Sequence, residues 1–377
     1  MKNNSYIKRY EVTITTKGPL YIGSGKTINK KEYYFDEDSK KVYFFDFAKL
    51  FKGIVDRKLE DKYQEYMLNA KAPMDLGGFF RKNGVGIMDV KKLADYSVDA
   101  INVCGDSERD SFKNRGINTF IKESGNRNYI PGSSLKGAIR TALLVDEISS
   151  NDRKYSKFGD EVFKSRNKTS QAGRSTKDIE STAFNTMGRN DKRKGDAVND
   201  VMASVRVSDS EVIPNNYMTL CRRMDQDVWS DLHDLPIFFE CVKPGVSIKT
   251  SITIDTSMKN YVSIDRIKQA ISNYSWCLYE DFTKYFDNTE EYAENVLFLG
   301  GYTGFASKTV DYTLLKNDGV NVIQTMLNSA FRKHEHYKDE EKYSVSPRMI
   351  KVSEYGSKSR SGVYEVGKIE IDFKEVK

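Results

Sequence analysis

The chain has little cysteine and histidine and no long apolar run. Its four cysteines are far apart in the sequence and form no CxxC pair, which argues against a zinc knuckle or a disulfide framework: Cys104, Cys221, Cys241 and Cys277. The first residues, MKNNSYIKRYEVTI, lack the apolar core of a signal peptide, and no stretch reads as a membrane span. We therefore expect reduced thiols in an intracellular, cytoplasmic protein with no membrane partner, no metal and no cofactor.

The composition is that of a globular protein. Of the 377 residues, 38% are hydrophobic and 30% are charged, which argues against disordered and membrane classes. The net charge of +6 is moderate, so it supports a nucleic-acid partner only weakly. The 23 tyrosines and 20 phenylalanines suit a core, with base stacking as a second use for a few of them.

Strand and helix patterns alternate along both halves of the chain. Apolar and polar residues alternate around residues 10–14, which predicts a strand. Two aromatic-rich runs lie on either side of DEDSKK and predict two more strands, and a helical pattern follows over 48–67. In the second half, IFFECV and SIKTSITID predict two strands, and apolar residues at steps of three and four predict a helix over 264–285. A further helix is expected at 320–333 and a strand in the closing VYEVGKIEIDFKEV. This order fits α+β architecture with two ferredoxin-like domains, over 1–213 and 214–377.

Residues 151–200 have a different composition. They contain 12 Lys and Arg, 8 Asp and Glu and only 11 hydrophobic residues. We expect a mobile, basic insertion in the first domain, with short helices or as a solvated loop without a ligand.

The segment YIPGSSLKGAIRTALL, residues 129–144, predicts a helix that follows a Pro-Gly turn. Ser133 or Ser134 is expected to cap a helix that begins near Leu135. Lys136 and Arg140 are four residues apart, so we expect one cationic stripe opposite the apolar face.

A cationic helix start is unfavourable without an anion, and no acidic residue lies within 129–144. Free backbone N–H groups, two cations and Gly132 and Gly137 therefore predict a phosphate site. The alternative is an ordinary capped helix in which Gly137 packs tightly and the cations face solvent. A Walker A loop is excluded because Ala138, not lysine, follows the second glycine, and the third glycine of a dinucleotide fingerprint is missing after Gly23 and Gly25. The expected ligand of this site is therefore the phosphate backbone of a polymer.

Two more glycine-rich segments carry cations. GGYTGFASKT, residues 300–309, contains Gly300, Gly301, Gly304 and Lys308, with Tyr302 or Phe305 able to stack on a base. The alternative is a tight structural turn, which would explain the glycines alone. Gly23, Ser24, Gly25 and Lys26 form a weaker third segment, expected to be a turn. Together the three predict an extended RNA-binding surface.

The motifs YIGSG, IPGSSLKGAIR, VRVSDS and GGYTGFASKT resemble those of the RAMP superfamily of CRISPR proteins. Within it the chain is most similar to the subunit family at the end of type III-A Csm effector complexes. The resemblance implies modified RNA-recognition folds and a site at the 3′ end of the CRISPR RNA (crRNA), where the subunit caps the backbone filament. The implied partners are crRNA, target RNA, other Csm subunits, especially the repeated backbone subunit, and a host nuclease. The implied RNA-facing residues are Gly132, Ser133, Lys136, Gly137 and Arg140, and in the late loop Gly300, Gly301, Gly304 and Lys308.

A catalytic role is disfavoured by the histidines. His334 and His336 are two apart, so they do not face each other on a helix, and His233 lies in a polar turn. Relatives that cleave target RNA use an aspartate after the first strand, and none occurs here before Asp36. We expect a non-catalytic RNA-binding subunit. The alternatives are a metal-independent endoribonuclease that trims crRNA and a scaffold that recruits a separate nuclease through 151–200.

Overall fold

The computed structural model describes residues 6–69, 75–103, 115–286, 292–331, 345–356 and 362–376. Two large β-sheets, a separate two-stranded sheet and several helices form an α+β structure around a shared hydrophobic core. Within the described ranges, no helix is long and apolar enough to cross a membrane.

The strands are β1 Ile7–Thr16, β2 Gly23–Ile28, β3 Tyr33–Asp36, β4 Lys41–Phe44, β5 Tyr96–Asp99, β6 Ile117–Phe120, β7 Lys122–Glu123, β8 Arg127–Asn128, β9 Val205–Val207, β10 Met218–Asp227, β11 Leu232–Val242, β12 Ser247–Asp255, β13 Val296–Phe298, β14 Met349–Tyr355, β15 Gly362–Glu365 and β16 Lys368–Val376. The helices are α1 Phe47–Val55, α2 Glu60–Leu68, α3 Leu76–Lys82, α4 Ile87–Leu93, α5 Gly132–Ser150, α6 Asp152–Lys164, α7 Lys168–Phe184, α8 Ile264–Asp281, α9 Asp311–Leu315 and α10 Gly319–Ala330.

The first sheet has the strand order β13-β16-β1-β12-β9, and its paired neighbours are antiparallel. Alternate residues of β1 are buried, among them Val12 and Ile14. The buried faces of α5 and α8 join the same core, for example through Ile139 and Ile267. Along the chain β1, α5, β9, β12, α8 and β16 follow the strand-helix-strand-strand-helix-strand order of ferredoxin-like folds.

This unit uses both halves of the chain, which changes the expected arrangement of one ferredoxin-like domain in each half. Strand β1 pairs with β12 on one side and with β16 on the other, and both partners come from the second half. The predicted boundary at residue 213 therefore runs through this unit. Sequence order hides such pairing because antiparallel partners need no proximity along the chain.

The second sheet has the order β2-β6-β11-β10-β5-β4-β3, and β14 and β15 extend it beside β10. The turn at Lys243-Pro244-Gly245 joins the two strands predicted from IFFECV and SIKTSITID, and it passes the chain from β11 in the second sheet to β12 in the first. The turn therefore connects the two sheets.

Residues 151–200 differ from the expected mobile insertion. Helices α6 and α7 occupy most of the segment, and their apolar faces are buried, with Tyr155, Val162 and Ile179 fully covered. Most of the few hydrophobic residues lie on one face of each helix, so the low average hydrophobicity of the segment did not reveal the buried faces. The segment is a packed helical layer with a basic outer surface.

Helices α1 to α4 form a second, smaller core beneath β3 and β4, with Phe79 and Phe80 at its centre. The helix expected over 48–67 is split in two, because the chain turns at Lys58, whose φ is +56°. The helices expected over 264–285 and 320–333 end at Asp281 and Ala330. The closing segment forms two strands and not one: β15 lies in the second sheet, β16 lies in the first, and the chain turns at Gly367 between them.

Candidate nucleic-acid interface

Helix α5 begins three residues earlier than expected, at Gly132, and Pro131 is its N-cap. Neither Ser133 nor Ser134 caps it with a side chain. The Gly132 amide instead donates to Oδ1 of Asp209 at 2.8 Å. A carboxylate from the distant VRVSDS motif thus compensates the positive end of the helix dipole.

The two glycines of this helix have different surroundings. A Cβ on Gly132 would lie 2.2 Å from the carbonyl oxygen of Val207, so a side chain there would clash with the backbone at the end of β9. A Cβ on Gly137 would meet no atom within 4 Å. Gly132 is therefore needed for packing, whereas Gly137 leaves the helix backbone open on the surface, contrary to the alternative in which it packs tightly.

The side chains of Lys136 and Arg140, expected to form one cationic stripe, both have partners within the protein. The Lys136 ammonium donates to the carbonyl oxygens of Met202 at 2.8 Å and Val205 at 2.7 Å. Burial lowers the pKa of Lys136 below its ordinary value.

The Arg140 guanidinium also has partners within the protein. It contacts Asp200 at 2.7 Å and Glu180 at 3.3 Å and lies 4.0 Å from the ring centre of Phe184. The anions that the local sequence lacked come from residues 180–209. Both cations therefore hold that segment against α5.

The late glycine loop, residues 300–308, packs on the segment that precedes β2. Gly300 has φ +84°, and a Cβ on it would lie 2.0 Å from the carbonyl oxygen of Tyr21. The Gly301 amide donates to the same oxygen at 2.7 Å. Lys308 donates to the carbonyl oxygen of Gly300 at 2.5 Å, and burial lowers its pKa. The glycines are required by close packing, and the loop is held rigidly.

The two aromatic residues of the loop have different environments. Tyr302 stacks on Tyr21 with ring centres 4.8 Å apart, and its hydroxyl accepts a hydrogen bond from Asn118 at 3.1 Å. The guanidinium carbon of Arg223 lies 5.3 Å from the same ring centre. Phe305 in contrast is 38% exposed. Of the two candidates for base stacking, Phe305 therefore has the accessible ring.

The third segment is a strand, not a turn. Gly23, Ser24, Gly25 and Lys26 lie at the start of β2, which pairs with β6 around an irregularity. The hydroxyl groups of Ser24 and Thr119 are 2.6 Å apart, and the Lys26 side chain is exposed. Gly25 has φ +79°, which allows the backbone to deviate from regular pairing there.

A groove of about 520 Å³ lies between α5 and the late glycine loop. Helix α5 contributes Ser134 and Gly137 to its lining, and the glycine loop contributes Gly300, Gly301 and Lys308. Ile22, which directly precedes the third segment, lines it as well. Two of the three predicted segments therefore share one surface, and the third begins beside it. The other lining residues were not predicted: Ala138, Thr141, Tyr274, Leu297, Phe298, Leu299 and Ser307.

The outer face of the first sheet does not offer the stacking surface of RNA-recognition motifs, in which sheet aromatics stack on bases. The outward residues at the centre of β1 and β12 are polar, and Glu11 pairs with Lys249 at 3.4 Å on this face. The groove, not the sheet face, is therefore the better candidate for an RNA-binding surface.

The side chain of His233 contacts a carboxylate. Nε2 of His233 lies 3.1 Å from Oδ2 of Asp227, at the end of the β10–β11 hairpin. His334 and His336 lie outside the described residues. Among those that are described, no group of three His, Cys, Asp or Glu side chains is arranged to hold a metal ion.

Comparisons with known proteins agree with the motifs. A family model described as the RAMP superfamily matches residues 13–305. The protein named CRISPR system Cms protein Csm5 of Mycobacterium tuberculosis H37Rv is 25% identical over 393 residues, with 98% of this chain and 99% of that protein covered. The protein of the same name from Streptococcus thermophilus is 24% identical over 322 residues, with 82% of each chain covered.

Two solved structures have a similar fold. A chain of the cryo-EM structure of the Csm–crRNA–target RNA ternary complex in a type III-A CRISPR-Cas system has a TM-score of 0.63, with 20% identity and coverage of 96% of this chain and 100% of that one. The crystal structure of T. onnurineus Csm5 has a TM-score of 0.60, with 17% identity and coverage of 95% and 99%. The likeness extends over nearly the whole chain.

Proposed function

Because the chain belongs to the RAMP superfamily, we propose that it is a non-catalytic RNA-binding subunit of a type III-A CRISPR (Csm) effector complex. In this role it binds the 3′ segment of the crRNA, caps the filament of repeated backbone subunits and supports crRNA maturation in antiviral defence. Its curated relatives of matching length carry the name Csm5, and a chain of the same fold occurs in a Csm–crRNA–target RNA complex.

The observation that carries the proposal is the groove between α5 and the glycine loop. Its lining combines the open backbone at Gly137, the hydroxyl of Ser134 and the ammonium of Lys308. Such a surface suits a sugar-phosphate chain, because small residues allow close approach and polar hydrogens face the phosphates. With Lys136 and Arg140 engaged inside the protein, few cations remain at the groove. We therefore expect binding that weakens with salt, but with a shallow slope.

The composition of the groove also supports a binding role without cleavage. Its described lining residues include no histidine, aspartate or glutamate, and its two titratable side chains, Tyr274 and Lys308, each donate to a backbone carbonyl oxygen within the protein. General acid–base cleavage of RNA needs a pair of titratable groups within hydrogen-bond reach of the reacting atoms. The endoribonuclease alternative would have to use a different surface. Incubating the protein with labelled precursor RNA in EDTA tests it, and reproducible cuts that His233→Ala abolishes would support that alternative.

Gly137→Glu tests the groove directly. The substitution adds bulk and a negative charge at an open position, and no packed atom opposes it. We expect RNA affinity to fall by about tenfold, because a carboxylate repels phosphate and fills the groove. The assembled complex should show less protection of the 3′ end of the crRNA from nuclease.

Gly173→Glu is the matched control. Gly173 is an exposed helical glycine on α7 and lies outside the groove, and a Cβ on it would likewise meet no atom within 4 Å. The control should bind RNA as tightly as the unmodified protein does. Equal affinity of Gly137→Glu and Gly173→Glu would contradict the groove assignment.

A further inference from the structure

A larger cleft lies on the other side of the glycine loop from the groove. Its volume is about 940 Å³, and Thr303, Gly304 and Phe305 line it. Phe298 and Ser307 line both the cleft and the groove. The loop therefore separates two adjoining depressions, and a chain lying in one can continue into the other.

Strands β10 and β14 place charged side chains at this cleft, and two of these side chains have a polar atom without a hydrogen-bond partner among the described residues. Nζ of Lys351 and Oδ2 of Asp225 are 2.6 Å apart. The other carboxylate oxygen of Asp225 and Nε of Arg223 are buried, and neither has a hydrogen-bond partner among the described residues. Buried groups of this kind are costly unless a ligand or water satisfies them. One is a charged donor and the other is an acceptor, so the complementary ligand carries both an anion and a donor.

The rest of the lining is mainly apolar. Strand β11 contributes Leu235 and Ile237, and α8 and α10 contribute Leu278 and Leu327. The exposed ring of Phe305 lies at the same cleft. Apolar walls with a few converging polar groups are typical of sites for ligands of nucleotide size, and the volume suits such a ligand.

We propose that this cleft binds a nucleotide of the RNA strand held in the groove. Arg223 and Lys351 bind its phosphate, Oδ1 of Asp225 accepts a hydrogen bond from a ribose hydroxyl or a base amino group, and the base stacks on Phe305. The proposal rests on the RNA-binding function proposed above. An acidic peptide would also satisfy Arg223, but an accessible aromatic ring on a loop shared with the RNA groove favours a nucleotide.

The test places single 4-thiouridines along the RNA and maps photocrosslinked peptides on the purified full-length protein. The proposal expects one or two adjacent positions to crosslink to peptides that contain residues 303–308 or 347–351. Phe305→Leu keeps an apolar side chain against Tyr312 but removes the stacking ring, and it should lower RNA affinity by about tenfold. Phe305→Trp should restore it. Arg223→Gln should weaken binding and remove the cleft crosslinks.

Matched controls are Phe163→Leu and Arg153→Gln, because both residues are exposed on α6 and lie outside the cleft. Unchanged affinity of Phe305→Leu and Arg223→Gln, with Gly137→Glu still defective, would overturn the cleft proposal and leave the groove proposal intact. Crosslinks that map only to α5, or a peptide of another subunit crosslinked in the cleft, would overturn it as well. Normal RNA binding by Gly137→Glu would count against the proposed function itself.

Discussion

The backbone amide of Gly132 donates a hydrogen bond of 2.8 Å to Oδ1 of Asp209, a residue 77 positions further along the chain. This contact connects the start of α5 to the loop that follows β9. It caps the helix and orients the groove that α5 lines.

Asp209→Ala is expected to lower the free energy of unfolding by about 1 kcal/mol, because it removes the capping acceptor and its favourable charge at the helix N-terminus. Asp209→Asn keeps the acceptor and should lose less. Equilibrium denaturation in urea measures both. Equal stability of Asp209→Ala and the unmodified protein would show that the cap contributes nothing.

Arg140 and Asp200 should be energetically coupled. Each side chain is about one-quarter exposed, and the pair joins α5 to the segment before β9. We expect a double-mutant cycle with Arg140→Ala and Asp200→Ala to give a coupling free energy of about 1 kcal/mol. Arg140→Ala should weaken RNA binding only as far as it destabilises the fold. A loss of affinity at full stability would instead support direct phosphate contact by Arg140.

The two glycines of α5 should respond oppositely to alanine. Gly137→Ala is expected to raise the free energy of unfolding by about 0.5–1 kcal/mol, because alanine has the higher helix propensity and meets no neighbouring atom. Gly132→Ala should lower it by about 1–3 kcal/mol, because the added methyl group meets backbone at 2.2 Å. Chemical denaturation of the two variants side by side decides. A shift of the same sign in both would contradict the packing described here.

The ion pair of His233 and Asp227 predicts a change at low pH. Burial raises the pKa of Asp227, but hydrogen bonds from His233 and from the backbone N–H groups of Asp231 and Trp229 outweigh it, so the pKa lies below the ordinary value of 3.8. The resulting stabilisation is present above pH 3.8 and is lost as the pH falls through the lower pKa of the folded state. His233→Ala should therefore move acid unfolding to higher pH, as followed by circular dichroism.

His233→Gln, which keeps a hydrogen-bond donor without the charge, should fall between the unmodified protein and His233→Ala. An acid-unfolding midpoint unaffected by either variant would show that the pair does not contribute to stability.

Deleting residues 152–184 should prevent stable folding. The effect should differ from removal of a surface loop, after which the rest of the protein would still fold. The deletion removes Tyr155, Val162 and Ile179, which are fully buried, and uncovers the apolar surfaces they pack against. Thermal unfolding followed by far-ultraviolet circular dichroism should show no cooperative transition. A deletion variant that unfolds cooperatively would support the expected mobile insertion.

A charge reversal at the exposed Lys157 on α6 tests the recruitment of a separate nuclease through this segment without removing buried residues.

Much of the secondary structure could be predicted because it depends on local periodicity. The helix that begins at Ile264 follows from apolar residues at steps of three and four, and the alternation at Val12 and Ile14 marks a strand with one buried face. The family was identified from short motifs, and the match over residues 13–305 confirms it. The glycines of residues 129–144 and 300–309 predicted that both segments belong to one surface, and Gly137, Gly300 and Gly301 line the same groove. Glycine is informative because close approach of a backbone requires a small residue.

The partners of the charged side chains could not be predicted. Lys136 and Arg140 lie four residues apart near the start of α5, and residues 129–144 contain no acid, so an external anion was expected to neutralise them. Their partners are two backbone carbonyl groups and two carboxylates from residues 180–205. The exposure of Tyr302 and Phe305 could not be predicted either. They are three positions apart in one loop, and only the structure shows that Tyr302 stacks on Tyr21 whereas Phe305 is exposed.

The sequence by itself determined many of the strands and helices, the family and two of the segments that line the groove, since these depend on periodicity, backbone conformation and short motifs. Only the tertiary structure decided that β1 lies between β12 and β16, that residues 151–200 form a packed layer, and which cations remain free for a ligand. The physical reason is that strand pairing and ion pairing depend on distance in space. A contact such as that between Gly132 and Asp209 has no trace in local composition.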